Sequence, residues 1–240
     1  MTTADAQSTV VASYRSAGRA AITSGVIGLV AYGFLWAFLV TMISGGDEQT
    51  CKRLITTHDV GVVLQSLFLI PLVLTLGAIV GQRSPGARRS TVTLGIAALS
   101  LTIVSLLLII ANVLAGPFFM LWQGLLGIWL IVVNRLVAGA FYRGLRWFGT
   151  VIGVGLMIAA VFPVGNFLFV DPTFGPLPFN SEPPAGTERA NEILHNILAI
   201  GGFLGVAPLP IWTALVGRKL LRMGKLGTTG ITTESAAIMK

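Results

Sequence analysis

The chain has 240 residues, of which 54% are hydrophobic and only 10% are Asp, Glu, Lys or Arg, against about 25% charged in soluble domains. A mean hydropathy of +0.85 excludes an ordinary soluble globular domain. The net charge of +7 would suit nucleic acid, but the basic residues sit beside the ends of apolar runs, where the positive-inside effect places them, so nucleic acid is set aside as a partner.

Residues 1–19 are small and polar and end on Arg15 and Arg19. The first apolar run, 20–43, is long and lacks a convincing cleavage site, so it reads as a retained helix and not as a removed signal peptide. Ser44, Gly45, Gly46 and Asp47 stop it. Cys51 is the one cysteine, which rules out a disulfide framework and leaves a bystander thiol or an intermolecular bridge. A second span follows over 60–80, with Pro71 inside it, where a missing backbone donor predicts a kink.

The loop 81–90 carries Arg83, Arg88 and Arg89 and no acid. The third span, 91–115, has no charge in 25 residues. At about 1.5 Å rise per residue, that length crosses a hydrocarbon layer of roughly 30 Å. Gly116 and Pro117 break it. A fourth span runs over 118–137, and its trailing loop adds Arg143 and Arg146 to Arg135. A fifth runs over 147–170, with Pro163 near its far end. The connection 171–190 contains five prolines, which favour extended and turn conformations. The sixth span, 191–216, is interrupted by Pro208 and Pro210. Residues 218–240 begin basic and then turn to Gly, Thr and Ser, the composition of a disordered tail. The fold expected is an all-α polytopic bundle: six spans within a transmembrane domain over 20–217.

Orientation follows from charge. With the N-terminus inside, the inner segments hold 13 basic residues and the outer loops three: Lys52, Arg53 and Arg189. Six crossings then put both termini in the cytoplasm. In such a bundle, close helix approach replaces the hydrophobic drive. Ser24 and Gly28, Gly149 and Gly153, and Gly201 and Gly205 form small faces that serve either packing within the bundle or contact with a second copy or another membrane protein. Trp122, Trp147 and Trp212 sit near span ends, as interfacial anchors do.

Polar side chains inside spans are the candidates for function, because each costs solvation free energy unless it is paired. Gln65, Asn112, Gln123, Asn166, His195 and Asn196 all fall toward the outer face. They either line an outward-facing polar cavity or occupy wet interfacial positions. Glu188, Glu192 and His195 are spaced four and three apart, on one helical face. Carboxylates at a helix start also suit the dipole. His58 and Asp59 begin the second span. If helices two and six are neighbours, His58, Asp59, Glu192 and His195 offer nitrogen and oxygen donors of the kind zinc accepts. There is no paired-histidine motif, however, and neither a metal nor any other cofactor is assigned. Arg135, Arg143 and Arg146 are candidates for headgroup or phosphate contact.

No nucleophile motif, P-loop, CxxC or mid-span acid is present. The stretch Tyr142–Gly149, YRGLRWFG, followed by Val154 and Gly155, resembles a loop-and-helix pattern of uncharacterised multi-pass bacterial membrane proteins. The resemblance covers Asn134 to Met157 and implies a bacterial inner-membrane setting and no activity. Three functions stay open: a non-enzymatic accessory or sensory membrane protein, a small-solute or ion transporter with an outward-facing cavity, and an enzyme acting on a lipid or envelope substrate.

Overall fold

The computed structural model describes residues 3–82, 84–114, 118–170 and 184–238. The helices are α1 (Thr3–Ile43), α2 (Glu48–Gly81), α3 (Pro85–Ile110), α4 (Phe119–Leu136), α5 (Arg143–Ala159), α6 (Val161–Phe169), α7 (Glu188–Gly201) and α8 (Leu209–Ile238). A π-helical segment, Gly202–Val206, joins α7 to α8. There is no sheet among the described residues, only an isolated bridge between Ala138 and Phe141. Six stretches are long and apolar enough to cross a membrane; α5 with α6 makes one, and α7 with α8 another. The chain is an integral, multi-pass membrane protein.

Consecutive spans pack side by side, and α8 closes the ring against α1. Glycines set the closeness and show that neighbours run antiparallel. Gly25 of α1 lies against the Pro210 carbonyl of α8, and Gly18 against Gly217. Gly77 of α2 receives Val92 of α3, and Gly127 of α4 receives the Gly153 carbonyl of α5. Both chain ends therefore leave from the same end of the bundle, here the basal end; the opposite end is distal. The faces marked by Ser24 and Gly28, Gly149 and Gly153, and Gly201 and Gly205 are all taken up by other helices of the same chain.

The helices overrun the hydropathic spans. α1 begins at Thr3, and α8 runs on to Ile238 through residues whose composition suggests a tail without structure. Extending a formed helix fixes one residue per hydrogen bond, so an apolar span nucleates more helix than its own length. At the distal end, the Asp47 carboxylate caps α2 by accepting from Thr50 N at 2.8 Å. Hydrogen bonds from Thr50 hold that carboxyl below the usual aspartate range.

α2 is continuous through Pro71, whereas span five is interrupted at Ala160, just before Pro163, and span six over the π segment and the turn that reaches Pro208. Two expectations need revision. Asn112 is not in a helix: α3 ends at Ile110, and Asn112 turns the chain with φ 58°, a left-handed conformation that asparagine tolerates. Trp212 is not an interfacial anchor but is wholly buried. Trp147 and Trp36 are exposed, and Trp122 donates to Ser105 Oγ at 2.6 Å. The proline-rich connection lies, for residues 171–183, outside the described residues.

The apolar packing differs between the two ends. The basal half is one continuous core built on Leu72, Leu76, Trp129, Leu130, Leu156 and Trp212. The distal half holds two separate clusters. Ala31, Val62 and Leu106 form one; Phe162, Val170 and Leu194 form the other.

Candidate functional site

The site grows from a repeat in α2. Cys51, His58, Gln65 and Leu72 recur every seven residues, about two helical turns, so they share one face. All four are buried. That face meets α1, and the sequence of α1 makes room for it. Ala31 packs on Gly61, and a methyl group on Gly28 would lie 2.7 Å from the Gln65 amide. Ser24 Oγ donates to the Gln65 carbonyl at 3.0 Å. One turn further toward the distal end, the Tyr32 ring lies 5.8 Å from the His58 ring, centroid to centroid.

His58 and Asp59 are 4% and 7% exposed. The His58 Nδ1 and Asp59 Oδ1 atoms are 3.0 Å apart. An ionised carboxylate only accepts, so Nδ1 carries a proton, and in the neutral ring Nε2 then presents a bare lone pair. That Nε2 is buried and has no hydrogen-bond partner. The Gln65 amide nitrogen, about 10 Å further along the helix, is likewise buried without an acceptor. Unsatisfied buried groups cost about 1–3 kcal/mol each, and a native structure that keeps two on one seam has a use for them or hydrates them.

The other sequence candidates lie elsewhere. Gln123 is buried on α4, and Asn166 on α6. Glu188, Glu192, His195 and Asn196 are exposed on α7. Glu188 Oε1 accepts from Gly186 N at 3.1 Å. His195 Nδ1 lies 2.8 Å from the Asn191 carbonyl, and its ring stands edge-on to Phe162 at 5.4 Å. α7 packs on α5, α6 and the π segment, while His58 and Asp59 belong to a helix packed on α1 and α3. Among the described residues, no three His, Cys, Asp or Glu side chains gather as a metal site. The carboxylates and histidines that would have formed one are divided between two parts of the bundle.

No family model, curated relative or solved structure matches the chain. The likeness over Asn134 to Met157 therefore carries no further than an all-α, multi-pass membrane protein. The function has to be read from the geometry alone.

The structure adds residues that hydropathy did not single out. Tyr32 joins His58 from α1. At the basal end, Asn134 Oδ1, Trp129 Nε1 and Trp212 Nε1 are buried without partners, and the Asn134 amide and the Trp212 indole both rest against Gly149. Arg135 and Arg143 are exposed, and Arg146 encloses its Nε without a partner. The heptad of Cys51, His58 and Gln65 was present in the sequence and would have found the α2 seam. Nothing in the sequence marks Tyr32 as its neighbour, because that contact joins two different spans.

Proposed function

We propose that the chain is a non-enzymatic sensing membrane protein whose receiving group is the His58 imidazole in the α1–α2 seam. The observation that carries this reading is the buried Nε2 with no partner, on a ring whose other nitrogen is held by Asp59. A proton, or an N–H or O–H of a small ligand, supplies what Nε2 lacks. Either changes which groups the seam satisfies. Protonation adds an N–H at a position with no acceptor, so α1 and α2 must part locally to hydrate it. The groups around the ring are Asp59 on its own helix and Tyr32 on α1. Since α1 also packs along α8, a shift of α1 has a route to the basal end.

Cys51, the sole cysteine and buried on the same face, is a built-in reporter. Its alkylation rate, divided by that of a free thiol at the same pH, is expected to rise as the medium is acidified. His58→Gln should abolish the rise and His195→Gln should preserve it. The same profile in His58→Gln would sink the proposal.

The 13 basic residues on segments leaving the basal end, against three on distal ones, support a cytoplasmic basal end in a bacterial inner membrane. A fluorescent protein that matures only in the cytoplasm, fused after Lys240, should be bright. A dark fusion made in normal amounts reverses the orientation.

A second reading, a small-solute carrier with a distal cavity, is favoured by the division of the distal packing into two clusters above a continuous basal core. Gln65 lies on the side of the first cluster, and Asn166 on that of the second. Solute uptake by reconstituted vesicles, lost in Gln65→Leu, would favour the carrier. Sensing requires a response at His58 and no flux.

A further inference from the structure

A hollow lies at the basal end, away from His58. It has a volume of about 790 Å³ and is lined by Ser13 of α1, Leu74, Thr75 and Ala78 of α2, and Pro85, Arg88, Arg89, Val92 and Thr93 of α3. That volume lies within the range of about 300–1,000 Å³ usual for small-molecule sites. Its chemistry is graded. Leu74, Ala78 and Val92 make an apolar wall, hydroxyls from Ser13, Thr75 and Thr93 interrupt it, and two guanidinium groups belong to its lining.

The hollow is shaped by the α2–α3 contact. Val92 sits in the notch of Gly77, and the aliphatic stem of Arg88 lies across Gly81. A stem seated in that way orders its guanidinium at the mouth of the hollow, because the methylenes are packed while the charge stays at the polar edge. Both arginines are exposed, and among the described residues neither has an ion-pair partner. The loop 81–90 contains no acid. The only acids in the segments leaving the basal end are Asp5 and Glu234. A hollow with two uncompensated cations and hydroxyls beside an apolar wall, on the flank of a membrane helix pair, matches an anion that carries a hydrocarbon chain.

We infer that this hollow is a binding site for an anionic phospholipid, its phosphate between Arg88 and Arg89 and the upper part of one acyl chain along Leu74, Ala78 and Val92. The site lies at the basal end of these helices, apart from His58 and Gln65, and does not depend on the sensing reading.

The test is retention of lipid by the full chain. Protein in discs of mixed phosphatidylglycerol and phosphatidylcholine, with identical chains, is released into detergent and its bound lipids are counted by native mass spectrometry. Phosphatidylglycerol should be retained in preference. Arg88→Gln with Arg89→Gln should lower retention by about tenfold or more, as expected from roughly 1 kcal/mol per cation at an anionic surface. Ala78→Trp, which fills the apolar wall from an exposed position, should lower it as far without altering the charge. Thermal unfolding of each variant in lipid-free detergent separates loss of the site from loss of the fold; the double glutamine variant is confined to exposed positions and serves if Ala78→Trp fails to fold. Equal retention of the two lipids overturns the inference. So does full retention in Ala78→Trp, which would reduce the effect to diffuse attraction by charge. Displacement of the lipid by millimolar inorganic phosphate would make this a free-phosphate site and would overturn it as well.

Discussion

Gly155→Leu is expected to cost about 3 kcal/mol or more, at the upper end of overpacking changes, and to lower the unfolding temperature of the protein in detergent accordingly. Gly155 of α5 and Gly205 of the π segment face each other. A Cβ on Gly155 would meet the backbone at Leu204 and Gly205, and one on Gly205 would meet the backbone at Gly155 and Leu156. The obstacle on each side is main chain, which cannot rotate away as a side chain would. Span five would have to leave span six, taking with it the contact of Gly201 with Ala159 one turn away. In lipid, nothing hydrophobic pulls the helices back together, so lost packing is not recovered by burial elsewhere. Gly33→Leu is the control. Gly33 lies within α1 with no atom near its missing Cβ, and there a leucine should be neutral or stabilising by up to about 1 kcal/mol through helix propensity. Equal effects of the two substitutions would refute the close approach of α5 and span six.

The contrast between these two glycines shows what the sequence could convey. Small residues four apart identify a face but not its partner. Gly149 and Gly153, and Gly201 and Gly205, read equally well as internal seams or as contacts between copies, and only the three-dimensional arrangement assigns them to the interior. The number of spans was legible because uncharged runs of this length have no other stable setting; their arrangement in the ring was not, since hydropathy does not say which spans are neighbours. Helix ends were not legible, since hydropathy marks the apolar portion and a formed helix continues past it, as α1 and α8 do. The prolines marked the breaks in part: span six leaves α geometry just ahead of Pro208 and span five just ahead of Pro163, whereas α2 continues through Pro71.

The polar candidates divided for the same reason. Position along a span gives depth, and by depth His58, Gln65, Asn112, Gln123, Asn166 and His195 all belong to the distal half. Depth says nothing of azimuth. His58 and Gln65 turn into the α1–α2 seam, Asn112 leaves its helix altogether, and His195 remains exposed beside Phe162. The signal available for azimuth was the heptad of Cys51, His58 and Gln65, and it points to a seam where two buried polar groups lie unpaired along the same pair of helices.

The second large effect is expected at Trp212, where hydropathic position was misleading. Its side chain is fully buried, and its Nε1 has no partner. Trp212→Ala should cost about 3–5 kcal/mol, the range for emptying an aromatic site in a close-packed core. Trp212→Phe should cost less than about 1.5 kcal/mol, because it keeps most of the volume and deletes a donor that bonds to nothing. The ratio of the two effects, read from unfolding temperatures in the same detergent, separates packing from polarity. A phenylalanine as harmful as an alanine would mean that the indole N–H is bonded after all, through a buried water reaching the unpaired Asn134 Oδ1 across the Gly149 notch. Such a water requires polar partners on both sides, and Asn134→Leu would then be as damaging as Trp212→Phe. The distinction bears on the bundle as a whole. If both polar atoms are dry, the basal half is a solid apolar plug, and any traffic of ligand or solute is confined to the distal half, where His58 and Gln65 await their partners. If a water joins them, the plug has a polar thread through it, and the carrier reading gains the basal half of a path.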